Sequence, residues 1–222
     1  SEDDAAINSI YVYNGVDAVP STVTHVKVDS SLTHFSPSDF WRFGSVVKVE
    51  LPGGIRTIGS KAFSFCRLLK SIDVPSTVTE IGELAFDNCH HLDDIVLPRG
   101  LVKLGEGAFY NCISLQTIHI PPLIQTIEAR TFLGCTSLTE VILPLDLQEI
   151  KKYAFRSCVA LVTIDFPSSL RVIGELAFDG AGLTEFHLPD SVEDWGTFSK
   201  CYLTNLRMPP LITKFDASTF VV

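Results

Sequence analysis

The sequence predicts an α/β-type repeat solenoid, a right-handed coil of short parallel strands and short helical turns that forms one domain over residues 1–222. This prediction rests on three residue types, Phe, Pro and Cys, that recur with the same spacing along the chain. Phe recurs every 23 residues from position 40 to 178, and again at 198 and 220. Pro recurs at 52, 75, 98, 121, 144, 167, 189 and 209. Cys recurs at 66, 89, 112, 135 and 158, with Cys201 in a shortened copy.

One copy of the repeat divides into a strand and a turn. Residues 69–89 read LKSIDVPSTVTEIGELAFDNC. Ile72 and Val74 alternate with polar residues, which predicts a short strand with one buried face, and Pro75 ends the strand because it lacks the N–H that a β-ladder needs. Gly82 then permits a bend into a helical turn that carries the Ala, Phe and Cys of the copy inward.

Such a unit cannot bury its own apolar side, so copies must stack on one another. We assign about nine repeats to residues 26–220 and an N-terminal cap to residues 1–25, where the pattern is out of register. No polar C-terminal cap is visible in the sequence. This favours either a further segment beyond the sequence or a partner that covers that end.

With these motifs the chain resembles the BspA-type leucine-rich-repeat family, whose consensus joins L-x-x-I-x-L-P to I-G-x-x-A-F-x-x-C. The resemblance extends from Val26 to Phe220. It implies a curved solenoid with the parallel sheet on the concave side and turns on the convex side. It also implies an interaction module, often displayed on a microbial or protist cell surface, and no catalysis. The departures are Ala181 in the Cys slot, and Glu128 and Lys151 where Gly is usual.

Composition excludes several classes of partner. A formal net charge of −9 argues against a general nucleic-acid or anionic-membrane surface, since both need clustered Lys and Arg. No uncharged apolar run is long enough to span a bilayer, so we expect a soluble chain. The sequence starts at Ser1 without a leader pattern, which predicts a processed or excised form.

Cellular location stays open at this stage. Unpaired thiols and the absence of an N-x-S/T sequon favour an intracellular or organelle compartment. The family resemblance favours a cell surface.

The cysteines predict a column of buried free thiols, because successive coils lie about 4.8 Å apart whereas disulfide Cβ atoms prefer about 3.8 Å. The alternative is a metal site at Cys89, His90 and His91, but no ligand spacing supports it, and we predict no metal and no cofactor. No phosphate-binding loop, nucleophile elbow or convergent carboxylate pair predicts an enzyme.

The outward positions of the strands supply the candidate binding site. Two aliphatic residues, Val96 and Ile142, flank His119, and acids surround them at Asp73, Asp94, Glu140 and Asp165. This pattern is typical of an apolar contact within an acidic rim. The alternative explanation is that β-branched residues merely suit a strand.

We therefore predict a non-enzymatic scaffold that binds a protein, one with a basic surface, through the concave sheet. A structural subunit docked through an uncapped C-terminal end is the alternative. A carbohydrate-binding surface is disfavoured because no aromatic residue lies at a strand midpoint. Oligomeric state is left open by the sequence.

Overall fold

The computed structural model describes residues 10–16, 19–35, 40–195 and 205–207. The chain is a parallel β-solenoid, as predicted. Phe198, Cys201, Phe220, the predicted open C-terminal end and part of the predicted cap lie outside the described residues. The longer strands form the first side of the coil: β1 Tyr11–Tyr13, β2 His25–Val28, β3 Lys48–Glu50, β5 Ser71–Asp73, β8 Thr117–His119, β10 Glu140–Ile142, β13 Glu185–His187 and β15 Asn205–Arg207.

We call this first side the strand face. Its strands pair in parallel at the spacing of one repeat, so that Val26 lies beside Val49 and Val49 beside Ile72. Because side chains alternate across a strand, this register stacks buried residues on buried residues and outward residues on outward residues. The register therefore fixes which side chains of the strand face meet solvent.

A second side of the coil consists of two-residue strands: β4 Thr57–Ile58, β6 Glu80–Ile81, β7 Lys103–Leu104, β9 Thr126–Ile127, β11 Glu149–Ile150, β12 Val172–Ile173 and β14 Asp194–Trp195. The first six of these strands each contribute one buried aliphatic residue to the core, as Ile58, Ile81 and Leu104 do in successive coils. The sheet is interrupted between β7 and β9. It consequently consists of two pieces.

The third side consists of turns, and the predicted short helical turns are wrong. In residues 61–66 the backbone N–H groups alternate between two kinds of acceptor. Those of Lys61, Phe63 and Phe65 donate to carbonyl groups of the following coil, whereas the intervening ones donate three residues back. Lys61 and Phe65 also have positive φ angles of 58° and 62°. An α-helix needs continuous negative φ and i→i−4 bonds, so this segment cannot be one.

The core contains a ladder of stacked Phe rings. Seven successive rings, those of Phe40, Phe63, Phe86, Phe109, Phe132, Phe155 and Phe178, are fully buried. Their neighbouring centroids lie 5.1–5.6 Å apart and their planes differ by 3–14°. These separations belong to offset stacking, which suits the ring quadrupole. The repeat therefore places one large apolar side chain in every coil at a position where it contacts both neighbours.

The cysteines form a buried column beside the Phe ladder, and all five described ones are free, as predicted. Each thiol donates to the carbonyl oxygen of a Phe in the preceding coil, with Sγ···O distances of 3.0–3.2 Å. The same oxygen also accepts a backbone N–H, as Phe63 O does from Cys66. The thiols thus cross-link coils by hydrogen bonds.

Burial makes these thiols unreactive. It raises the pKa of the Cys66 and Cys135 thiols to about 12, and it raises the pKa of the Cys89 and Cys112 thiols well above the ordinary value. The thiolate is the reactive form, and at neutral pH these groups stay protonated. We expect a thiol reagent to modify Cys89, Cys112 and Cys135 slowly in the native protein and rapidly after denaturation. Fast labelling of all three in the folded protein would contradict a closed core.

Glycine occupies most copies of the position where the second side turns into the third. A Cβ atom on Gly82, Gly105 or Gly174 would lie 2.5 Å from a backbone nitrogen of the preceding coil. Glu128 and Lys151 occupy this slot in the two intervening coils. The ladder between β7 and β9 ends immediately before Glu128, whose N–H lacks the bond that Gly105 N–H makes to Ile81 O at 2.9 Å. Lys151 N–H, in contrast, donates to Ile127 O at 2.9 Å and the β9–β11 ladder is intact, so a side chain in this slot accompanies separated coils only at Glu128.

Candidate functional site

All seven predicted site residues have exposed side chains on the strand face. Val96 is 73% exposed and Ile142 is 43% exposed. Ile142 pairs with His119, and Glu140 pairs with Thr117, in the register between β10 and β8. Asp73 ends β5, whereas Asp94, Val96 and Asp165 lie in segments that are not strands. The structure therefore brings His119 and Ile142 side by side and puts the others on the same face.

Within the described part of the chain, the strand face is interrupted at the coils that contain Val96 and Asp165. Among the described residues, Asp94–Leu97 make no backbone–backbone hydrogen bond to β5 on one side or to β8 on the other. The bonds at the edge of this segment are long: Asp93 N to Lys70 O is 3.4 Å and Gln116 N to Asp93 O is 3.3 Å. A coil without ladder bonds leaves room between its neighbours.

A depression of about 400 Å³ occupies the interruption at Val96. Three buried residues, Ile95, Leu97 and Ile120, contribute to its lining. Val96, His119 and Ile142 line it from the exposed surface. Further lining residues are Asp94, Arg99, Thr117, Pro121 and Pro122. We call this feature the central pocket. It combines an apolar interior with a few polar groups, an arrangement typical of binding sites.

The acids around the central pocket have no cation partner within the described chain. None of the ion pairs found there includes Asp73, Asp94, Glu140 or Asp165. Glu50, one coil before Asp73, is instead neutralised by Lys48 at 3.4 Å. These four carboxylates therefore keep unpaired negative charge on the strand face, and Arg99 contributes one positive charge to the lining of the pocket.

Several charges of the turns are paired between coils. Lys151 contacts Glu128 at 2.8 Å, Lys152 contacts Glu175 at 2.6 Å, and Arg156 contacts the buried carboxylate of Asp179 at 2.9 Å. Paired surface charges attract a partner less strongly than unpaired ones, since each field is largely cancelled.

Sequence reasoning missed part of the central pocket. Leu97, Arg99, Ile120, Pro121 and Pro122 were not among the predicted residues. Pro121 and Pro122 form a Pro pair where most copies have a single Pro, and this departure is a signal that could have directed attention to the corner. The interruption at Val96 leaves no comparable trace in the sequence, because Ile95 keeps the ordinary alternation.

In the part of the chain that the structure describes, no three His, Cys, Asp or Glu side chains come together in a way that could hold a metal ion. Within the same residues there is no helix with the length and apolar character needed to cross a bilayer.

A family profile described as BspA type leucine rich repeat region matches residues 20–132 and 102–221, in six copies. The chain belongs to this family. Leucine-rich-repeat proteins generally serve in protein interaction or as scaffolds, and the family is typically non-enzymatic. A comparison with curated proteins found no match.

Several bacterial leucine-rich-repeat structures resemble the chain. A protein from Bacteroides ovatus is 26% identical with a TM-score of 0.79, over 89% of this chain and 59% of that one. The T. pallidum leucine-rich-repeat protein is 30% identical with a TM-score of 0.65, over 70% of this chain and 75% of that one. A leucine-rich cell surface protein from Faecalibacterium prausnitzii is 25% identical with a TM-score of 0.58, over 92% of this chain and 73% of that one.

The chain thus spans 59% of the length of the Bacteroides ovatus protein. The similarity to the three structures extends along the solenoid and agrees with the parallel coil described above.

Proposed function

We propose that this chain is a non-enzymatic scaffold that binds a protein with a basic surface through the strand face, around Val96, His119 and Ile142. The general interaction role of the family supports a binding function. The observation that carries the proposal is the central pocket, in which Val96 and Ile142 are exposed beside Asp94. None of the four acids of this face forms an ion pair within the described residues.

Burial in the core does not account for this arrangement. Val96 is 73% exposed and lies outside any strand, so neither core packing nor strand preference requires an aliphatic residue there, whereas the β-branched Ile142 also suits its strand. Apolar side chains in a partly enclosed site gain free energy when a partner removes them from water, by about 25 cal/mol per Å² of apolar area. The rim acids would attract a basic partner and orient it before contact.

The test is the double substitution Val96→Lys with Ile142→Lys. We expect an unchanged melting temperature, because both side chains are exposed, and a loss of binding to the protein that the native chain captures from its source. The matched control is Val102→Lys with Leu145→Lys, which alters two aliphatic residues that are 54% and 85% exposed and lie off the strand face. The site is supported if the Val96/Ile142 variant loses the captured protein and the Val102/Leu145 variant retains it.

Salt provides an independent check on the rim. Screening by about 0.5 M salt should slow association with the captured protein, because attraction between the rim acids and a basic surface falls once the Debye length is only a few ångströms. Retained capture by the double Lys variant, or association that salt does not affect, would contradict the proposed site.

A further inference from the structure

We propose that the partner places an extended segment along the solenoid axis, with alternate apolar side chains over the central pocket and a basic residue at each end. This rests on the proposed function and adds the conformation and residue pattern of the segment. It follows from three features of the strand face, namely the size of the central pocket, its apolar interior and the spacing of the acids beyond it.

The pocket limits the size of what can enter. Its volume of about 400 Å³ lies near the lower end of the range for small-ligand sites, about 300–1,000 Å³. Such a space accommodates one or two side chains and not a helix or a sheet edge. Its interior is formed by the buried side chains of Ile95, Leu97 and Ile120, so an inserted group meets carbon atoms. The inserted group is therefore an aliphatic or aromatic side chain.

The spacing of the outer acids sets the length of the segment. By the 23-residue spacing of the repeat, Asp73 lies one coil before Val96 and Asp165 lies one coil after Ile142, at equivalent outward positions. The Phe rings of the same coils lie 5.2–5.6 Å apart, so four coil steps separate the two acids by roughly 21 Å. An extended chain rises about 3.3 Å per residue, so two basic residues six positions apart would span that distance.

Alternation then specifies the residues between the two basic ones. In an extended segment, side chains two positions apart face the same way, so basic residues at the first and seventh positions share a face with the third and fifth. Apolar residues at the third and fifth positions would lie over Val96, His119 and Ile142. Asp94 and Glu140, in the neighbouring column, add negative charge beside the pocket and disfavour acids in the segment.

The probe is a blocked heptapeptide, Lys-Ser-Leu-Ser-Leu-Ser-Lys, added to the whole chain labelled with ¹³C at its methyl groups. We expect saturable shifts of the Val96 and Ile142 methyl signals, assigned by their absence from single Val96→Ala and Ile142→Ala variants. The methyl signals of Val102 and Leu145 serve as internal controls and should not move. Replacement of both Lys by Glu in the probe, or Asp73→Asn with Asp165→Asn in the protein, should weaken binding about tenfold or more.

Two further peptides test the pattern itself. A probe with Ser at both Leu positions should not bind, and one with Lys at the second and sixth positions should bind less tightly, because those side chains face away from the acids. No shift at Val96 and Ile142 with the parent heptapeptide, or equal shifts at Val102 and Leu145, would overturn the inference.

The two proposals fail separately. If the heptapeptide does not bind while the double Lys variant still loses its captured protein, the strand face binds a folded surface and the extended segment is wrong. If the variant keeps its captured protein, the proposed function fails whatever the peptide does.

Discussion

Replacing Phe109 by Ala should lower the free energy of unfolding by about 3–5 kcal/mol, the usual loss when a buried Phe is truncated. Phe109 is fully buried and stacks at 5.3 Å on Phe86 and at 5.6 Å on Phe132. Its loss removes apolar burial and also both ring contacts in the middle of the ladder. The measurement is urea unfolding of the variant and the native chain under one condition, monitored by circular dichroism.

The matched control is Phe65→Ala. Phe65 belongs to the turn of the same repeat unit as Phe63, but its ring is only half-buried. Both Phe and Ala carry a Cβ atom, so the positive φ of Phe65 is strained equally before and after the change. We expect a loss of about 1 kcal/mol there. Equal losses at Phe65 and Phe109 would show that the stacked ladder adds nothing special to the core.

Replacing Gly105 by Ala should cost about 1–3 kcal/mol, the range for overpacked positions, although it adds a single methyl group. The new Cβ atom would lie 2.5 Å from Glu83 N and 2.5 Å from Gly82 C. Both atoms belong to the backbone of the preceding coil, which cannot rotate away as a flexible side chain can. We expect the β6–β7 ladder to open, as the sheet does immediately before Glu128.

Gly53→Ala is the control for this change, because no atom lies within 4 Å of the Cβ position. Its effect should stay within about 0.5 kcal/mol. Unfolding in urea gives both free energies, and faster exchange of the amide at position 105, whose N–H donates to Ile81 O at 2.9 Å in the native chain, would show the opened ladder directly. A Gly105 variant as stable as the Gly53 variant would mean that neighbouring coils separate more easily than their close contact implies.

The sequence was sufficient to predict the coil and its core. Phe, Pro and Cys in one register predicted both the repeat and its buried residues, because a side chain that recurs in every coil must lie on the same side of each. Ile72 and Val74 predicted a strand, since alternation requires only that one face be buried.

The third side could not be predicted in the same way. The spacing of Ala85, Phe86 and Cys89 suits a helical turn as well as the observed turn, since both carry these side chains inward. The difference lies in the backbone, where Leu84 and Asn88 adopt positive φ although neither is Gly. Hydrogen bonds to the next coil stabilise this conformation, and a single copy gives no sign of them.

The candidate site was predicted in part. Outward alternation identified Val96, His119 and Ile142 as exposed neighbours, and their exposure is confirmed. The pocket beneath these side chains exists because Asp94–Leu97 make no ladder bonds to the neighbouring coils. The alternation of residue types does not reveal whether such bonds form, so the pocket could not be predicted. Whether the seven residues bind a partner stays a prediction.

The backbone N–H groups of the third side alternate between acceptors in the next coil and acceptors in the same turn, so their exchange distinguishes two kinds of opening. The N–H of Phe63 is shielded only while the next coil remains in place, because its acceptor is Ala85 O at 2.8 Å. The N–H of Ser64 bonds to Lys61 O at 3.1 Å within its own turn, and it needs no neighbour. Adjacent amide protons therefore report different events, one the parting of whole coils and the other the fraying of a single turn. Deuterium uptake along this one edge would reveal where along its length the solenoid begins to come apart.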